Sequence, residues 1–180
     1  PGVQFIFLRA SRDLLAMAHH LEMDLAVDEI KGWVEQVEAG SDFLWNDVVG
    51  GYCARDLRTG QFSDAITNAS TLSFFADVGS PEQRKSMEAH CRRILSASAF
   101  GMPSWDPDHQ AFESQRYWRG PVWAIMNHMV ISGLEDAGLA DLAARVRNDT
   151  IDLINEHGMA EYFDPHDGDG LGGMDFSWTA

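Results

Sequence analysis

The chain has 180 residues, 45% hydrophobic and 23% charged, which suits one globular domain with a sizeable core. Its 28 acidic and 13 basic side chains give a formal net charge of -15. No basic patch can dominate such a field, so the balance disfavours nucleic acid and anionic membrane surfaces, and neither is expected as a partner.

Apolar residues at Phe7, Leu8, Leu14, Leu15, Ala18 and Leu21 recur on a helical period and predict a first helix over 5–21. Ile30, Trp33, Val34 and Val37 mark a second over 27–39, with Gly40 placed to stop it. From Trp45-Asn46-Asp47 through Gly50-Gly51-Tyr52 to Thr59-Gly60 the texture is that of a short β-hairpin. A third helix is expected over 65–77. The fourth opens at Ser80-Pro81-Glu82-Gln83, with Ser at the N-cap, Pro at the first position and Gln at the third, and buries Met87, Cys91, Ile94 and Leu95.

A long loop over 100–119 is rich in Pro, Asp, Ser and aromatics, and loops of that length inside a domain usually serve function. Helices are expected over 121–137 and 139–157. A Gly-rich stretch then leads to Asp175-Phe176-Ser177-Trp178-Thr179-Ala180, which reads as the start of another helix with Asp175 as its cap and Phe176 and Trp178 in the core. The fold class is all-α: helices in antiparallel pairs, elaborated loops at alternate junctions, and one short β-hairpin as the only β structure. A self-contained helical bundle explains the helices equally well and leaves the loops without a purpose.

Cys53 and Cys91 fit neither a zinc spacing nor a disulfide framework, so they read as reduced, buried thiols of a cytoplasmic protein. No apolar stretch approaches bilayer length. The chain starts at Pro1 and stops at Ala180 within a hydrophobic pattern, so both ends are expected to be cut.

The sequence contains no G-x-S-x-G elbow, H-E-x-x-H, P-loop or G-x-G-x-x-G motif. His19 and His20 are adjacent and point to different helix faces. The Asp164–Gly170 run lacks the spacing of a calcium loop and reads as a solvated turn. Carboxylates remain, and glycoside hydrolysis needs two. Those in loops are Asp106, Asp108, Glu113, Glu161, Asp164 and Asp175. Asp106 and Asp108 flank Pro107 as turn formers. Glu161 occupies no cap position and sits beside Tyr162-Phe163.

Two segments resemble the C-terminal signature of glycoside hydrolase family 63 and its bacterial relatives, above all the glucosylglycerate and mannosylglycerate hydrolases. They are Tyr117-Trp118-Arg119-Gly120-Pro121-Val122-Trp123 and Glu161-Tyr162-Phe163-Asp164-Pro165, the latter followed by Gly170-Leu171-Gly172-Gly173 and Asp175–Ala180. The resemblance implies that residues 1–180 are the C-terminal part of one (α/α)6 toroid with an inverting mechanism. It makes Glu161 the general base and puts Tyr117, Trp118 and Trp123 around the sugar, with Arg119 and Gly120 in the same segment.

The family's general acid is an upstream Asp that no segment here matches, so the chain by itself is expected to be inactive. Glucosylglycerate is the expected substrate, with mannosylglycerate or an oligosaccharide α-glucoside as alternatives and a non-catalytic carbohydrate-binding protein as the distant one. Arg119 is a candidate for the glycerate carboxylate, or for pairing within its own loop. Trp118 reads as a sugar contact, while Trp123, Tyr162 and Gln115 are divided between packing and function. The chemistry needs no metal or organic cofactor, and a homo-oligomer of the intact protein is left open. Half a toroid should also expose the apolar stripes that its missing helices would cover.

Overall fold

A computed structural model describes residues 1–180. Six helices follow in order: α1 (Gly2–His20), α2 (Asp24–Ser41), α3 (Asn68–Phe75), α4 (Pro81–Ala97), α5 (Ala124–Asp136) and α6 (Ala140–His157). A hairpin of β1 (Trp45–Asn46) and β2 (Gly51–Tyr52) lies between α2 and α3. A second, β3 (Tyr162–Phe163) with β4 (Gly170–Leu171), follows α6. The odd-numbered helices form the backbone of the packing: α1 lies on α3, α3 on α5, and the partners α2 and α6 flank α1 and α5.

One core joins Phe5 and Leu8 of α1, Leu72 of α3, Met87 and Ile94 of α4, Val130 and Leu134 of α5 and Val146 of α6. Tyr52 closes it from the first hairpin, edge-on to Phe5 at 5.1 Å. Where α5 crosses α3, Gly133 is required. A Cβ there would collide with the Phe75 backbone. The other face of α1 is left open, with Val3, Phe7, Leu14 and Met17 exposed, and Leu21 exposed just beyond its end.

Four expectations need correction. The third helix starts at Asn68, not 65, because Thr67 forms a capping box with Ser70 and pairs as an isolated bridge with Trp105. The fifth starts at Ala124, since Val122 bridges Pro103 on one side and Phe163 on the other and is held extended. The expected single hairpin is joined by β3–β4, whose turn starts at Asp164-Pro165. No helix begins near Ser177. Asp175 is left-handed at φ 56°, so it cannot be the expected cap, and Trp178 is 56% exposed instead of in the core. Phe176 is only half-buried.

Candidate active site

The three long junctions converge. Thr67 bridges Trp105, Pro103 bridges Val122, and Val122 bridges Phe163, so residues after α2, α4 and α6 are tied by backbone pairing. The 100–119 loop is further anchored by Arg93. Its guanidinium holds Asp106 at 2.5 and 2.8 Å and Asp108 at 2.6 Å, while the Asp106 carboxylate accepts the Asp108 N–H. Burial would raise the Asp106 carboxyl, but Arg93 and that N–H hold it below the usual range. Asp106 and Asp108 are thus loop anchors.

On the converging junctions the two sequence motifs come together. Val122 and Phe163 exchange backbone hydrogen bonds of 2.8 and 2.9 Å. Either side of that pair, the Tyr117 hydroxyl donates to Glu161 Oε1 at 3.1 Å, and the Gly173 N–H donates to Oε2 at 3.3 Å. Glu161 is half-exposed, one residue before β3. Facing it is Gly172 at φ 75°, where a Cβ would lie 2.5 Å from Glu161 Oε2. Only glycine accommodates both that backbone and that carboxylate.

Beside the carboxylate stands an aromatic stack. Trp118 lies parallel on Trp123 at 4.0 Å, and Tyr162 stacks on Trp123 at 4.9 Å. Trp118 is 41% exposed and Tyr117 49%, so both offer surface to a ligand. Trp123 is fully buried under Trp118, which corrects the expectation that its own ring lines the pocket. It is the pillar of the stack, and its Nε1–H donates to the Tyr117 carbonyl at 3.1 Å.

Arg119 pairs with Glu113 of its own loop, and its Nε is buried without a partner. Gly120 is buried, and a Cβ there would strike the Glu113 carbonyl. Its N–H donates to Ser104 Oγ at 3.0 Å. Both residues shape the loop. The two largest cavities, about 840 and 700 Å³, lie elsewhere: one beside the first hairpin, the other between α5, α6 and Trp178. Glu161 and the exposed ring of Trp118 lie outside both.

Asp164, one of the loop carboxylates and the first residue of the run expected as a solvated turn, is instead buried, 2% exposed. Its carboxylate accepts from Ser114 Oγ at 2.9 Å, Gln115 Nε2 at 3.0 Å and the His166 N–H at 3.0 Å. It thereby clips the Tyr117 loop to the Glu161 hairpin. Gln115, left undecided in the sequence, spends its amide on this clip. The signal available was Asp-Pro after an aromatic pair, which predicts a turn but not its tertiary partners.

Burial would raise the Asp164 carboxyl, yet the His166, Gln115 and Ser114 hydrogen bonds outweigh it and hold it below 3.8. A depressed folded-state value means the charged form stabilises the fold fully above 3.8, and that contribution is lost as pH falls through the lowered value. Chemical denaturation of the full-length protein should show wild type losing stability relative to Asp164→Asn as pH drops from 5 to about 2. Parallel curves for the two would show that the clip carries no such energy.

A family model described as the mannosylglycerate hydrolase MGH1-like glycoside hydrolase domain matches residues 1–179. Mannosylglycerate hydrolase MGH1 of Selaginella moellendorffii is 41% identical over 175 residues, covering 97% of this chain and 36% of that relative. The crystal structure of a GH63 mannosylglycerate hydrolase from Thermus thermophilus in complex with glucose matches with a TM-score of 0.94 at 38% identity. It covers 99% of this chain and 45% of that one. A shorter match, 34% identical over 79 residues, is to the glucosylglycerate hydrolase of Mycolicibacterium hassiacum, covering 44% of this chain and 18% of that relative.

The chain thus spans less than half the length of these relatives. Its helical pairs are part of an (α/α)6 toroid. From motif, fold and matched length alike, the chain belongs to the MGH1-like glycoside hydrolase family.

Proposed function

We propose that the protein containing this chain is an inverting hydrolase of an α-linked hexosylglycerate, with Glu161 as its general base. The observation that carries the reading is the Glu161 carboxylate, fixed by two donors beside an exposed aromatic platform. Trp118 offers a ring face to the apolar C–H face of a sugar. Glu161 takes a proton from water as that water attacks the anomeric carbon. The glycosidic C–O bond breaks as an acid protonates the departing glycerate oxygen.

That acid, and the facing wall of the cleft, we assign to residues outside these 180. An inverting pair stands roughly 6.5–9.5 Å apart to admit the water, which suits two walls of a ring. Arg119 we assign to the loop rather than to glycerate, since Glu113 already occupies its guanidinium. The buried thiols, with Cys53 pushed up to about 11 and Cys91 to about 12 by burial, suit the reducing cytoplasm.

For the glycone, the sequence resemblance placed glucose first. The relatives that match nearly the whole chain favour mannose, and we place mannosylglycerate ahead of glucosylglycerate. A panel of α-mannosylglycerate, α-glucosylglycerate and α-linked disaccharides, given to the full-length protein, tests this. Release of hexose from a glycerate conjugate is expected. Brisk cleavage of disaccharides with both conjugates untouched would defeat the proposal in favour of an oligosaccharide glucosidase.

A further inference from the structure

A general base must present a free lone pair to water in one direction, and a glutamate side chain has three rotatable bonds with which to miss. We infer that Tyr117 is the positioning residue that holds Glu161 in its working orientation, a role distinct from lining the sugar; the inference rests on the base assignment above. Three observations converge on it.

The first is the hydrogen bond itself, 3.1 Å from the phenol to Oε1, with the Gly173 N–H on the other oxygen. An ionised carboxylate offers about four lone-pair positions. Two donors leave the remainder for water.

The second is the backbone. Tyr117 sits at φ 40°, a left-handed conformation that a bulky side chain adopts only under constraint. The constraint is visible. The buried Trp123 indole donates to the Tyr117 carbonyl at 3.1 Å, which pins the peptide in that turn. Outliers of this kind are retained where an orientation matters.

The third is the ring. Tyr117 meets Trp123 edge-on at 5.0 Å, Tyr162 at 5.3 Å and Trp118 at 6.0 Å. Its hydroxyl therefore emerges from a rigid aromatic cluster. Accepting the bond also makes the Glu161 carboxylate raise the phenol above its ordinary value, so the hydroxyl remains a donor across neutral pH.

The test uses full-length Tyr117→Phe, which keeps the ring and removes only the donor, with whichever hexosylglycerate the wild type cleaves. Glu161→Gln is assayed beside it, and thermal melts verify that both variants fold. Turnover of Tyr117→Phe should fall about tenfold while KM changes by no more than about twofold.

A raised KM with turnover unmoved would make Tyr117 a sugar contact and overturn the inference. Unchanged kinetics would overturn it too. If Glu161→Gln is inactive in either case, the base assignment survives and only the positioning role is lost. If Glu161→Gln keeps full turnover, both fall.

Discussion

Turnover by the full-length Glu161→Gln variant should fall by roughly a hundredfold to ten-thousandfold, the usual contribution of a positioned general base. The amide keeps the size of the carboxylate and an oxygen that can accept from the Tyr117 hydroxyl at its present 3.1 Å distance. What it loses is the capacity to take a proton near neutral pH. Because Glu161 is half-exposed and pairs with no cation, the fold should be nearly indifferent to the change. Substrate binding measured by calorimetry should therefore persist while hydrolysis does not. Unaltered turnover would remove Glu161 from catalysis and leave a helical carbohydrate-binding protein as the better reading.

The largest effect on stability is expected at Trp123. Its side chain is fully buried, lies between Trp118 and Tyr162, and donates to the Tyr117 carbonyl. Truncation to Ala should cost about 3–5 kcal/mol, the range for deleting a buried Trp or Phe. That is a large fraction of a typical domain's total stability. Trp123→Phe should cost less, since it fills part of the cavity, yet it removes the indole donor that holds Tyr117. Trp178 provides the internal comparison. It is a tryptophan 56% exposed, and Trp178→Ala should be much milder. Urea denaturation of the full-length variants measures all three. Equal losses for Trp123→Ala and Trp178→Ala would contradict the assignment of Trp123 as the pillar.

What the sequence revealed depended on whether the deciding interaction was local. The start of α4 was legible because its cap is written within four residues, and Ser80 and Gln83 do exchange hydrogen bonds. The start of α5 was misread because Pro121 is a good first helical residue in isolation, while the bridges that hold Val122 extended come from residues 103 and 163. β3–β4 escaped notice because its two-residue strands, as short as those of β1–β2, show no alternation and the Asp164–Gly170 run joining them reads as a solvated turn. Trp178 reads as core within a helix start that does not form, and residue type does not decide burial for a large amphipathic ring.

The site divided along the same line. Glu161 stood out by elimination and by its motif, since it caps nothing. Its partners could not be read, because Tyr117 lies 44 residues away and the Gly173 donor is a backbone group. Asp164 looked like one half of an Asp-Pro turn, and its grip on Ser114 and Gln115 exists only in three dimensions.

The most direct check on the chemistry is the anomeric form of the first hexose released, followed by proton NMR as the full-length protein acts on an α-hexosylglycerate. A base that drives water onto the face opposite the leaving group gives β-hexose first, with the α form growing in only as the sugar mutarotates. Appearance of α-hexose at the outset would mean a covalent glycosyl-enzyme and a nucleophile, and Glu161 could not then be the base described here.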